Sequence, residues 1–208
     1  MKTTGCVAVI ALCASGCFHS VKILAKPATA KITADGSFVG TGTAVVRVSE
    51  NRSVAVTVCA PPEFLCSDMT VGKESPKSLS VQLPADDAFA ATTSADVVNK
   101  NLTVTVKKGR SFDDAWQKIV SVVSERYDAL ESVDAKSGYL RTAWIEKKTT
   151  TAVIRSRFVV SVGTPDPIAF RVKLQMEVKR GQADFVPYDR AFQSDLEVLE
   201  GLRSRVEQ

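Results

Sequence analysis

Two stretches near the C-terminus, Ala152–Val162 and Ile168–Lys179, alternate apolar and polar residues along their whole length, and they limit the fold more than any other feature. Successive side chains of a strand point to opposite faces. The first stretch therefore sets Ile154, Phe158, Val160 and Val162 on one side, and the second sets Ile168, Phe170, Val172, Leu174, Met176 and Val178 on one side. The opposite sides carry Arg155, Arg157, Arg171, Lys173, Gln175, Glu177 and Lys179. An antiparallel sheet with one apolar face needs a layer over that face. The flanking sequence supplies it. Ser111-x-x-Asp114 has the form of a capping box, and the helix after it aligns Phe112, Trp116, Ile119, Val123 and Tyr127. A second helix from about Arg190 aligns Phe192, Leu196, Leu199, Leu202 and Val206. Adding strands at Leu102–Lys107 and at Tyr139–Glu146, opened by Gly138, predicts an α+β domain over 101–208: an antiparallel sheet with two helices on one face.

Residues 21–83 read differently, as short strands only. Val21–Ala25, Thr29–Thr33, Ser37–Val39, Ala44–Val48, Ser53–Val58 and Ser78–Leu83 are each of strand length, and Asp35-Gly36 is a two-residue hairpin signal because glycine tolerates positive φ. This predicts a small all-β sandwich. About 60 residues bury little surface, so such a unit is marginal alone. Residues 84–100 are expected to be a linker, since Pro84–Asp96 is small and polar without period.

The N-terminus reads as an export leader: Lys2, an apolar run from Gly5 to Leu12 too short to span a bilayer, then Ala14-Ser15-Gly16-Cys17. This resembles the bacterial lipobox, with Ala14 where Leu is usual. The resemblance implies a signal peptide over 1–16, acylation of Cys17 (palmitate and diacylglycerol), and a lipid-anchored tether over 17–20; an ordinary secretory cleavage is the alternative. A fully processed lipoprotein cysteine carries more than the single acyl chain that gives only marginal binding. Phe18 stands where inner-membrane retention would place Asp, which implies the outer membrane, facing the periplasm. Once the leader leaves with Cys6 and Cys13, three cysteines remain. An oxidising compartment favours pairing Cys59 with Cys66, at a gain of roughly 2–3 kcal/mol, against the alternative of two free thiols.

Two further resemblances follow. Val21-x-Ile23-x-x-x-Pro27-x-x-Ala30-x-Ile32-x-x-Asp35-Gly36-x-x-Val39-Gly40-x-Gly42-Thr43 resembles the PEGA domain, an accessory β module of bacterial envelope proteins. A cysteine-bounded loop replaces the aromatic Gly-Tyr turn common later in that family. Residues 101–208, through the Trp116 helix, Gly138-Tyr-Leu-Arg-Thr-Ala-Trp144, Arg155-x-Arg157 and the closing Leu-rich helix, are similar to the helix-grip domains of envelope-assembly lipoproteins, including the accessory lipoprotein of the outer-membrane barrel-assembly machine. That likeness implies a docking scaffold without a cofactor.

Chemistry-bearing constellations are sparse. The single histidine, His19, is expected beside the anchor and outside any folded site, so Ser-His and Cys-His sites lack their base. No metal-ligand cluster or phosphate loop is present in the sequence, and Asp86-Asp87 and Asp113-Asp114 fall in the expected linker and in a helix first turn. No enzyme activity, catalytic residue, metal or cofactor is expected. Net charge is +4, and +3 once Lys2 has left, too mild for a nucleic-acid partner. The candidate binding surface is the basic sheet face, Arg155, Arg157, Arg171 and Lys173, with Trp144 as an anchor if it is not core, and Phe64 of the Cys loop as a contact tip if it does not tuck under its own unit. A solvated sheet face is the plainer reading. The function these features imply is that of a membrane-anchored, non-catalytic scaffold or docking part of a cell-envelope assembly. The alternative is a lipoprotein that binds peptidoglycan or an acidic polysaccharide.

Overall fold

The computed structural model describes residues 18–207, so the leader, the lipobox and Cys17 lie outside the described residues. Strands dominate, and the chain divides into two compact units, residues 1–85 and 86–208.

The first unit has seven strands: β1 (Phe18–Lys26), β2 (Lys31–Ala34), β3 (Ser37–Thr41), β4 (Thr43–Ser49), β5 (Val54–Cys59), β6 (Ser67–Val71) and β7 (Ser78–Gln82). Their order is β6-β5-β2-β3-β4-β1-β7; neighbours are antiparallel except β1 and β7. Asp35 and Gly36 both take positive φ, as a two-residue hairpin requires. The β3–β4 junction holds by one pair, Thr41–Thr43, around Gly42. There a Cβ would come 2.4 Å from the Ala28 carbonyl oxygen at φ +67, so only glycine fits. Alternate residues from all the strands except β3, among them Val21, Ile23, Ile32, Val46, Val56 and Val71, share one core. β6 was not foreseen, because Ser67, Asp68 and Thr70 leave only Met69 and Val71 to carry its apolar pattern.

Two expectations for this unit are corrected. Residues 18–20 are not a tether: β1 begins at Phe18, which pairs with Ser49. His19 is consequently part of the fold, and its Nε2 donates to the Ser75 carbonyl at 2.8 Å. The Cys59–Cys66 disulfide is present, with Cα atoms 4.3 Å apart.

The second unit contains α1 (Asp87–Ala90), β8 (Thr93–Ser94), β9 (Leu102–Thr105), α2 (Phe112–Ser124), β10 (Leu130–Asp134), β11 (Tyr139–Thr142), β12 (Ile145–Lys148), β13 (Val153–Pro165), β14 (Ile168–Lys179), β15 (Val186–Pro187), β16 (Arg190–Ala191) and α3 (Gln193–Glu207). The main sheet runs β10-β11-β13-β14-β15, with β12 on β13, β9 on β14, and all pairs antiparallel. The β13–β14 ladder, from Val153–Lys179 to Pro165–Ile168, is its spine. Ser111 caps α2 by accepting from the Asp114 amide, as the capping pattern predicts. Phe112 and Trp116 of α2 stack near Phe170, and Tyr127 meets Phe158 edge-on at 5.2 Å. With Leu199, Leu202 and Val206 of α3 these make one apolar cluster. Each of these that is fully buried contributes about 1.5–3 kcal/mol, and the half-buried Phe112 less.

Residues 84–100 are not a linker. Asp86 is nearly buried, caps α1 through the Ala88 and Phe89 amides and pairs with Arg180 at 2.6 Å. Arg190 lies over the Phe89 ring at 3.7 Å, and β8 pairs with β16. Ala88 and Val98 enter the apolar cluster. The segment packs through small residues and long-range polar contacts, which a search for hydrophobic period does not detect.

Candidate functional site

β11 and β12 together edge β13, and the chain breaks between them at Ala143–Trp144. Leu140 and Arg141 pair with Val160 and Val159, and Ile145 to Lys148 pair with Ser156 to Val153. Across the gap the Thr142 hydroxyl accepts from the Phe158 amide at 3.0 Å, so the buried ladder loses no bond. The break turns Trp144 away from the core. It is half-buried on the polar face of the sheet.

There it meets the two arginines of β13. Arg155 lies 4.4 Å and Arg157 4.2 Å from the Trp144 ring centroid. Arg155 also lies 3.7 Å from the ring of Phe185, which leads into β15. Guanidinium groups over aromatic rings are attracted to the negative π face, by about 0.5–2 kcal/mol each depending on desolvation. Polar partners fix the other edges. Arg155 forms an ion pair with Glu177, its register partner on β14, at 2.6 Å. Arg157 Nε donates to Gln175 Oε1 at 2.5 Å and lies 3.9 Å from Glu131, which also pairs with Arg141. Both arginine side chains keep roughly a quarter of their surface in solvent. The result is a ladder, Phe185–Arg155–Trp144–Arg157, ordered before anything binds.

Trp144, Arg155 and Arg157 are therefore brought together. Arg171 and Lys173 share their sheet face further along β14, in register with Ser161 and Val159, and among the described residues neither has a carboxylate within 4.0 Å. Phe64 belongs to the first unit, where it packs half-buried against that unit's own core and bridges Ala85; the contact-tip expectation is corrected, and Pro61-Pro62-Glu63 is what the loop exposes. Phe185 was missed. A lone aromatic between Asp184 and Val186 has no periodic signal, and only the return of β15 to β14 places it.

No family model matches the chain, and no curated protein scores as a match to it.

The chemistry of the face therefore rests on its own residues. It can offer cations, aromatic surface and a few free hydrogen-bond donors. Beneath it, on the core side, lies a buried polar cluster: Tyr127 OH is 2.8 Å from Ser156 Oγ and donates to Asp195 Oδ1 at 3.0 Å, and Asp195 pairs with Arg126 at 2.6 Å. Burial, reinforced by the Asp195 charge, pushes the Tyr127 phenol well above its ordinary value. Among the described residues no group of three His, Cys, Asp or Glu side chains is placed to hold a metal ion. No helix among them is long and apolar enough to cross a membrane.

Proposed function

We propose that this chain is a bacterial envelope lipoprotein, held through acylated Cys17 in the outer membrane and facing the periplasm, that works as a non-catalytic docking part of an envelope assembly. In this reading residues 18–85 are a PEGA-like β-sandwich and residues 86–208 a helix-grip domain that presents the polar side of its sheet to a protein partner. The observation that carries the reading is the Phe185–Arg155–Trp144–Arg157 ladder. Aromatic and arginine side chains dominate the energetic centres of protein interfaces, and side chains already ordered lose little entropy on binding. Arg171 and Lys173, without carboxylate partners, favour a second reading in which the same face holds peptidoglycan or another acidic glycan.

Crosslinked envelopes and sedimentation with purified sacculi separate the two. Docking to a protein predicts a discrete crosslinked partner that survives salt and is lost roughly tenfold or more in Trp144→Ala. Co-sedimentation with sacculi, abolished by Arg155→Glu with Arg171→Glu, selects the glycan reading. Mass spectrometry of the mature N-terminus checks the anchor: an unmodified thiol on residue 17 refutes it.

A further inference from the structure

If Cys17 is acylated, as the reading above has it, the fold dictates which end of the first unit rests on the bilayer. Consecutive Cα atoms are about 3.8 Å apart, so one peptide bond separates the acylated residue from Phe18. Phe18 is already in β1, paired with Ser49, and there is no slack between anchor and sheet. Following the register, the Phe18 end of the unit also carries the β4–β5 turn, the β6–β7 loop and the tip of the β2–β3 hairpin. Asp35 in that tip pairs with Arg52 in the β4–β5 turn at 2.8 Å, and His19 holds the β6–β7 loop through Ser75.

The two most exposed large apolar side chains among the described residues both lie at this end: Phe18, 65% exposed, and Phe38, 64% exposed, the latter one residue past the strand start at the hairpin tip. They come from strands that are not neighbours in the sheet order, so neither exposure follows from the other. Charge at this end is close to balance, with Arg47, Arg52, Lys73 and Lys77 against Asp35, Glu50 and Glu74. We infer that the Phe18 end is a second, non-covalent membrane contact, in which Phe38 joins Phe18 in the interfacial layer of the bilayer, and that it is driven by apolar insertion rather than by anionic lipid. Aromatic side chains favour that layer, and an apolar face settles some 5–10 Å into the headgroup boundary. The contact holds the unit upright where acyl chains alone would let it swivel.

The mature acylated chain carrying Phe38→Trp, reconstituted in phosphatidylcholine vesicles brominated along the acyl chains, reads this directly. The tryptophan emission gained over the parent chain is expected to fall roughly twofold, as an interfacial position implies. Glu63→Trp, in the exposed part of the Cys59–Cys66 loop at the opposite end, is expected to show no loss. Adding phosphatidylglycerol or salt should change neither. A vesicle-bound Phe38→Trp chain whose added emission stays unquenched, as a second protein copy seated on that position would leave it, overturns the contact while leaving the anchor intact. Quenching that appears only with phosphatidylglycerol overturns the apolar mechanism. A chain that does not stay on the vesicles overturns both contact and anchor.

Discussion

Asp195 has no exposed surface, and its charge is held by one ion pair to Arg126 and one bond from Tyr127. Its other oxygen, Oδ2, meets no donor among the described residues. A buried carboxylate with so few partners depends heavily on each. The Tyr127 hydroxyl links it to Ser156 on β13, so one phenol joins α3 and the segment that follows α2 to the sheet spine. Because the phenol stays protonated in the fold far beyond its ordinary value near 10, the sign is fixed: its contribution is complete below about pH 10 and is lost as pH rises above that, while the unfolded chain ionises first. Urea titrations should show the second unit weakening steeply above pH 10 and Tyr127→Phe weakening less. At pH 7 the substitution should cost about 1–3 kcal/mol, for the donor taken from Asp195.

Among the elements, the segment before β9 departs most from expectation. β14 pairs with β9 through Val172 and with β15 from Glu177, leaving a stretch of edge between them. Asn99, at φ +58, fills it. Its amide donates to Leu174, its side chain donates to the Met176 and Tyr188 carbonyls and accepts from the Met176 amide. One asparagine thus stands in for a missing strand. A fragment of residues 86–208 is therefore expected to be more stable in thermal melts than one of residues 101–208 by several kcal/mol, since the shorter piece bares the Met176 backbone and loses Ala88 and Val98. What was legible in the sequence divides along the same physical line. β13 and β14 alternate over long stretches, and their inward residues fall where that alternation puts them. In α2 and α3 the expected stripes hold at Trp116, Ile119, Val123, Leu199, Leu202 and Val206, while Asp195 and Val198 turn inward and Leu196 stays half-buried. The polar face, with Arg155 and Arg157 side by side, follows from the same rule. Residues 86–100 were opaque because their bonds reach across some 75–100 positions and leave no local period. Trp144 was ambiguous for a related reason: its side is decided by the Thr142 bridge to Phe158, a contact sixteen residues away.

At the scale of the molecule, the path of the chain through the first unit is the feature with the widest reach. It enters at Phe18, and β7 delivers it at Leu83 to the far end, where Leu65 donates to the Pro84 carbonyl beside the Cys59–Cys66 loop. β1 and β7 are parallel neighbours, in register from Lys22–Ser78 to Lys26–Gln82. Tension applied through residues 18 and 85 slides one strand along the other, and every rung of that ladder bears load together. Tension through residues 18 and 50, the same end of the antiparallel β1–β4 pair, opens rungs one at a time. Single-molecule pulling should find a higher rupture force along the first axis than the second; equal forces would contradict this strand order. A body fastened at one tip and tugged at the other is joined like a lap splice, and it resists mechanical stretching far better than its modest core would lead one to expect.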